Sequence, residues 1–275
     1  DYSKEEVLEN RLMMILMCER FGYLVMDEVH MAVADHFISA CFLRSSAVLG
    51  LSGSLIREDE KIERLITNVG PTLYSKIIDR SIVINVISIP MSDEHISQMK
   101  SLQKRSKFAQ TFRALNPYKI HALEQIFQVH NQCKIIVFCD IQQVARTLHS
   151  NYTNSLLMTG CDNKEMRSTI LEKFAADVNL LFCTRICDAS INFPVGCVIV
   201  QYNVSSGSRQ QEVQRCGRGT RDVSGAKMYM YHLVNEDTEE EEFVQRRISH
   251  IQKDGGRIEL KKTSLQEDIV LSSNQ

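Results

Sequence analysis

Tryptophan is absent from this 275-residue chain, and aromatic residues of all kinds make up only 7% of it. Stacking surfaces for bases are therefore few, so that any nucleic acid would be held mostly through its backbone, with little sequence specificity. The chain also lacks an excess of positive charge, because 32 Lys and Arg oppose 34 Asp and Glu. Binding to nucleic acid would thus have to come from local patches.

Metal and membrane signals are missing as well. The nine cysteines, spread from Cys18 to Cys216, form no C-x-x-C pair and no cluster with zinc-ligand spacing. They are typical of reduced, mostly buried thiols. The apolar run Leu12 to Cys18 is far shorter than the roughly 20 residues of a membrane span, and it lacks the marks of a signal peptide. We therefore expect a nuclear or cytosolic protein that does not bind membranes.

The chain is otherwise of ordinary globular composition, with 44% hydrophobic and 24% charged residues, and it is long enough for two domains of roughly 150 residues each. Apolar runs alternate with helical periodicity, which predicts an α/β fold with parallel sheets. A long polar helical stretch is predicted over 92–115. The predicted strands are 23–27, 46–51, 82–89, 134–139, 155–158, 179–183, 197–202 and 228–234.

These elements are unevenly distributed along the chain. Six predicted strands fall in 80–255, enough for a complete doubly wound domain, whereas 1–79 supplies too few and is expected to be the second half of a domain. The remaining stretch, 256–275, is polar and is predicted to be a tail.

Two adjacent acids, Asp27 and Glu28, directly follow the first predicted strand. Ligands of open α/β sheets bind at the carboxyl ends of strands. An Asp there can hold the Mg²⁺ of a nucleotide, a neighbouring Glu can activate water, and His30 could relay between the nucleotide and the second domain. Acids also follow strands as plain turn residues, so the acid pair alone leaves both interpretations open. The small hydroxyl residues at 52–54, which end the next strand, favour a nucleotide site.

Arg215, Arg218 and Arg221 recur every three residues and would share roughly one face of a helix. Guanidinium groups suit the charge on a transferring phosphoryl group. Most such repeats are solvated basic faces, but Gly217 and Gly219 would each weaken a purely structural helix by about 1 kcal/mol. The pattern therefore favours contact with a phosphate.

Taken together, these motifs resemble those of superfamily two helicases. Asp27-Glu28-Val29-His30, Ser52-Gly53-Ser54 and the stretch 214–221 are similar to motifs II, III and VI. The stretch 49–62, which contains Arg57-Glu58-Asp59, is similar to the XPB branch, the DNA translocase subunit of the transcription and repair factor TFIIH. Further matches to that branch lie at 69–74, 116–119, 134–138, 188–194 and 207–212.

The resemblance implies an incomplete N-terminal RecA-like lobe over 1–79, followed by a complete RecA-like helicase C-terminal lobe over 80–255, with helices on both faces of parallel sheets. It implies an ATP-dependent DNA helicase or translocase that opens duplex DNA in transcription initiation and nucleotide excision repair. ATP and Mg²⁺ are the expected cofactors. DNA and the other subunits of a TFIIH-like complex are the expected partners.

The resemblance also assigns roles to residues. Asp27 would coordinate Mg²⁺, Glu28 would activate water, and Arg218 and Arg221 would reach the γ-phosphate. The full set expected at the nucleotide is Asp27, Glu28, His30, Asp188, Gln214, Arg215, Arg218 and Arg221. Ser52 and Ser54 would couple hydrolysis to domain movement. Arg57, Glu58 and Asp59 would act on DNA during duplex opening.

A basic stretch supplies a second expected contact with DNA. No acid occurs from His95 to Leu123, and the predicted helix 92–115 resembles the thumb-like element of the XPB branch. Six cations there could contact several phosphates, although a solvated helix face would look the same. They are Lys100, Lys104, Arg105, Lys107, Arg113 and Lys119.

Some family features are absent. Ser52-Gly53-Ser54 stands where the family has Thr-Ala-Thr, Cys187 where it has Gly, and Asn192 where it has Asp. No G-x-x-x-x-G-K-[ST] loop occurs, so we expect this chain alone to bind ATP weakly and hydrolyse it poorly. Two alternatives stay open: an RNA helicase of the DEAH type, which the Arg-Glu-Asp signature disfavours, and a non-catalytic module that binds DNA or a partner.

Overall fold

The computed structural model describes residues 16, 19–32, 34, 38–53, 62–75, 81–100, 106–188, 196–204, 228–253 and 257–264. The chain divides into two units, Asp1–Lys76 and Ile77–Gln275. None of the helices among these residues is both long and apolar enough to span a bilayer.

In the first unit, strand β1 (Phe21–Met26) pairs in parallel with β2 (Ser45–Gly50). A small core packs against one face of this pair and contains Met26, Val29, Ala32 and Leu65. The remaining described elements are the 3₁₀ helices Val29–Met31 and Ile38–Phe42 and helix α1 (Ile62–Asn68). The predicted strands at 23–27 and 46–51 are thus confirmed, each within two residues.

The second unit is built on a seven-stranded parallel sheet with the strand order β5-β6-β4-β7-β8-β3-β9. Its strands are β3 (Ser81–Ile89), β4 (Ile135–Cys139), β5 (Leu156–Met158), β6 (Leu180–Cys183), β7 (Val198–Asn203), β8 (Met228–Asn235) and β9 (Arg257–Ser264). Its helices are α2 (Asp93–Lys100), α3 (Lys107–Ala114), α4 (Pro117–Val129), α5 (Gln142–Asn151), α6 (Lys164–Ala176) and α7 (Glu239–Lys253), with a 3₁₀ turn at Arg185–Asp188.

Successive side chains of β4 enter two different cores, because neighbouring residues of a strand point to opposite faces. Ile136 and Phe138 pack with residues of α6 and α7, whereas Val137 packs with residues of α4 and α5. All five residues of β4 are buried, which explains its continuous apolar run. The predicted parallel sheet with helices on both faces is therefore confirmed.

Two predictions about the second unit are wrong in part. The predicted tail contains β9, which pairs in parallel with β3. An edge strand is held by backbone hydrogen bonds on one side only, so it does not need a continuous apolar sequence. The predicted long helix over 92–115 is not continuous either, because Ser106 has extended backbone angles and its Oγ accepts a hydrogen bond from Ala109 N, which starts the new helix α3.

Candidate nucleotide and nucleic-acid sites

The predicted acid pair forms a tight turn at the carboxyl end of β1. Asp27 follows the buried Met26, and its Oδ1 accepts a hydrogen bond from Glu28 N at 2.9 Å. Glu28 has left-handed backbone angles, φ 48° and ψ 46°. Such a conformation is uncommon for a residue other than glycine and is held by its surroundings. The turn presents both carboxylates to solvent at the sheet edge where α/β folds bind ligands.

Backbone hydrogen bonds tie this turn to the end of β2. Leu51 N donates to Met26 O, and Val29 N donates to Leu51 O, each at 2.9 Å. Gly50 makes the close approach possible, because a Cβ added there would lie 2.9 Å from Val29 Cγ2. Gly50 was not among the predicted site residues, although a glycine at the end of an apolar strand was an available signal.

His30 links the acid turn to the hydroxyl motif of the next strand. Its ring is 1% exposed, and its Nδ1 is hydrogen-bonded to Ser52 Oγ at 2.7 Å. The same nitrogen lies 3.4 Å from Glu28 Oε2. The structure thus brings together Glu28, His30 and Ser52, which are 24 residues apart or less along the chain.

The acid turn is chemically suited to a magnesium nucleotide. Mg²⁺ prefers hard oxygen ligands and is usually held by one or two carboxylates together with substrate phosphates. Asp27 and Glu28 offer exposed carboxylates of this kind. Across the described ranges, no group of three or more His, Cys, Asp or Glu side chains is arranged to hold a metal by itself.

Several predicted site residues lie outside the described residues. They are Ser54, Arg57, Glu58, Asp59, Lys104, Arg105, Gln214, Arg215, Arg218 and Arg221. The backbone of Asp188 is described, and it ends the 3₁₀ turn that follows β6. The roles predicted for all these residues stay predictions.

The carboxyl edge of the second sheet carries polar residues that were not predicted as site residues. Asp140 follows β4, and its buried carboxylate lies 3.5 Å from Nη2 of Arg185, which is 46% exposed. Asp140 N donates to Asn203 Oδ1 at the end of the neighbouring β7. Polar residues directly after buried strands were the available signal, because parallel strands bring such positions together at one edge.

The basic stretch forms two packed helices, α2 and α3. The rings of His95 and Phe112 stack with their centroids 4.2 Å apart, and His95 Nε2 donates to Phe112 O at 3.0 Å. Lys107 is exposed and Arg113 is half-buried. Lys100 is the last residue of α2.

The expected contribution of Lys119 to this basic patch is wrong. Its side chain is fully buried, and its Nζ donates to Glu240 Oε2 at 2.9 Å. Burial lowers the pKa of Lys119, while the charge and the hydrogen bond of Glu240 oppose that shift. Lys119 and Glu240 are 121 residues apart in sequence, so this pair could not be predicted from the charges near Lys119. Lys119 is therefore a structural residue that is not available to phosphates.

Comparison with solved structures supports the fold. The chain is similar to S. cerevisiae Dbp5 bound to RNA and ADP BeF3, with a TM-score of 0.60 and 15% identity, over 94% of this chain and 63% of that one. It is also similar to the Pyrococcus furiosus Hef helicase domain, with a TM-score of 0.52 and 14% identity, over 88% and 77%. At such identities the likeness concerns the fold, which is that of RecA-like helicase domains.

Comparison with curated sequences identifies closer relatives. The chain is 34% identical over 245 residues to the Arabidopsis thaliana general transcription and DNA repair factor IIH helicase/translocase subunit XPB1, covering 80% of this chain and 32% of that protein. It is 29% identical to the Saccharomyces cerevisiae XPB/SSL2 subunit, covering 84% and 29%. The chain thus spans about a third of the length of these relatives. Residues 77–268 match the family described as ERCC3/RAD25/XPB C-terminal helicase, and the chain belongs to that family.

Proposed function

We propose that this chain is part of a nuclear, ATP-driven DNA helicase or translocase that opens duplex DNA in transcription initiation and nucleotide excision repair, together with other subunits of a TFIIH-like complex. The observation that carries the proposal is the acid turn at the carboxyl end of β1, joined through His30 to Ser52. The family to which the chain belongs supports the same activity.

In this proposal Asp27 holds the Mg²⁺ of ATP, which supplies charge neutralisation at the phosphates. The exposed Glu28 carboxylate orients the attacking water and accepts its proton. His30 contacts both Glu28 and Ser52, so a change at the acid turn is transmitted directly to the end of β2. Ser52, with Ser54, then couples hydrolysis to movement.

The other roles rest on the family resemblance alone. Arg218 and Arg221 stabilise charge at the γ-phosphate, and Gln214, Arg215 and Asp188 contact the nucleotide. On the DNA side, Arg57, Glu58 and Asp59 act at the duplex. Lys100, Lys104, Arg105, Lys107 and Arg113 bind backbone phosphates, so that affinity falls steeply with salt.

The test is DNA-stimulated ATP hydrolysis by the protein as isolated from its native source. Glu28→Gln keeps the size of the side chain but removes its basic carboxylate, and it should lower kcat by about 100-fold or more. Asp27→Asn should raise the KM for Mg-ATP. Glu63→Gln changes an exposed acid of α1 in the same unit and should leave both constants unchanged.

The outcomes separate the alternatives. Activity that survives Glu28→Gln would contradict the catalytic role of the acid turn. Stimulation by RNA in place of DNA would favour an RNA helicase. Binding of DNA without any ATP hydrolysis by the native protein would favour a non-catalytic module.

A further inference from the structure

One large aromatic side chain of helix α3, in the basic stretch, is exposed. Phe108, the second residue of α3, has 66% of its surface accessible to solvent. Lys107, its neighbour, is exposed as well. Exposing a phenyl ring forfeits the stabilisation that burial would give it. Single exposed apolar side chains are common on protein surfaces, so the role of Phe108 depends on its support and on the charge near it.

The helix that carries Phe108 is firmly anchored. Ser106 caps its first turn, and Ala109 is fully buried. Phe112 lies one turn beyond Phe108 on the same side of the helix and stacks on His95 of α2. Phe108 and Phe112 therefore form one apolar stripe along α3. Phe112 is packed and Phe108 is exposed, and the anchored helix holds Phe108 in place.

The charge of the sequence segment that contains Phe108 indicates which ligand covers it. No Asp or Glu occurs between His95 and Leu123, and five cations lie within eight residues of Phe108 in sequence: Lys100, Lys104, Arg105, Lys107 and Arg113. A ligand that offers both negative charge and flat rings fits such a surface, and single-stranded nucleic acid combines phosphates with stackable bases. An apolar protein surface would gain nothing from the cations.

We propose that Phe108 stacks on an unpaired base of DNA while Lys107 contacts a neighbouring phosphate. The inference rests on the proposed function, which supplies DNA as the ligand. It adds a stacking residue to a surface that otherwise contacts only the DNA backbone. It also gives helices α2 and α3 a preference for single-stranded or forked DNA over intact duplex.

Fluorescence of a single introduced tryptophan tests the contact directly. Because the chain has no tryptophan, Phe108→Trp creates the only one. Its emission should be quenched by single-stranded and forked DNA but far less by a blunt duplex. Val129→Trp is the matched control, since Val129 is also exposed but ends α4 shortly before β4, outside the basic stretch. Its emission should not respond.

Affinity measured at several salt concentrations gives an independent readout. Phe108→Ala should weaken binding of single-stranded DNA by about 5- to 150-fold and leave the salt slope unchanged. Lys107→Ala should reduce that slope by about 0.7. Val129→Ala should change neither value. Thermal unfolding of each variant checks that the fold is kept.

Three results would overturn the inference. If the chain binds no DNA, both this inference and the DNA-binding part of the proposed function fail. If it binds DNA but Phe108→Ala behaves like Val129→Ala, only the stacking role fails. Equal quenching of Phe108→Trp by blunt duplex and by single strands would also exclude stacking on an unpaired base.

Discussion

At the scale of single residues, His130 is a case in which burial has a larger effect on the pKa than the helix dipole has. It caps the carboxyl end of α4, where a positive imidazolium would be favoured. Its ring is nonetheless buried beside Tyr229 and Tyr231, and its Nε2 is hydrogen-bonded to Tyr231 OH at 2.8 Å. Burial lowers the pKa of His130 below its usual 6.5. The folded second unit therefore favours the neutral ring.

This shift predicts a pH dependence of stability. Because the unfolded state binds the proton more readily, the free energy of unfolding should fall as the pH drops below about 6.5, and this contribution should level off below the folded pKa. His130→Gln cannot titrate and should flatten the fall. Urea unfolding at pH 7.5 and pH 5.5 (roughly one unit either side of the unfolded value) measures the difference. A pH dependence of unfolding that is the same in His130→Gln as in the unmodified protein would contradict the assignment.

At the scale of elements, one buried polar network joins α3, α4, α7 and the ends of β3 and β8. Asn116 Oδ1 caps α4 by accepting from Tyr118 N, while its Nδ2 donates to Pro90 O and Asn235 Oδ1. Glu240 Oε2 accepts from Lys119 Nζ, Asn235 N and Asn235 Nδ2. Each buried group has a charged or amide partner, so the elements are held in one arrangement.

The two asparagine caps of this unit should differ in importance. Asn163 caps α6 with one hydrogen bond to Met166 N at an exposed site, so Asn163→Ala should lower the free energy of unfolding by about 1 kcal/mol. Asn116→Ala removes a cap and two buried donors and should cost about 3 kcal/mol. Replacement by Asp should be tolerated at 163 but not at 116, where the amide donors are needed. Chemical denaturation measures all four, and equal effects at both positions would contradict the network.

The elements also show what a sequence can predict. β8 is predicted at 228–234 and runs from Met228 to Asn235, because a strand buried on both faces is mostly apolar. β9 was not predicted, because its backbone pairing to β3 does not require an apolar sequence. In the candidate site, the position of Asp27 and Glu28 followed from strand order, but the His30–Ser52 hydrogen bond and the burial of Lys119 depend on contacts between distant residues.

At the scale of the whole molecule, the described parts of the two units differ greatly in core size. The described core of the first unit has four buried apolar residues, whereas the described part of the second has two extended cores, one on each face of its sheet. Small cores leave little net stability once conformational entropy is counted. The second unit should therefore carry most of the stability of the chain.

Separate production of the two units tests this difference. The fragment 77–275 should unfold cooperatively in urea, with a midpoint close to the main transition of the complete chain. The fragment 1–76 should show no cooperative transition by circular dichroism. Failure of 77–275 to fold alone would mean that the stability of its sheet depends on the first unit.

The position of β9 has a consequence for solubility. β3 is a nine-residue apolar strand, and β9 occupies the side of it that β8 leaves open. At the other end of the sheet, β5 is only three residues long. The two outer strands of the described sheet are therefore β5, which is short, and β9, whose sequence RIELKKTS is rich in charged residues. Both features hinder the pairing of a further strand at the edge. A chain cut before Arg257 would present β3 as a long apolar edge, a template for aggregation.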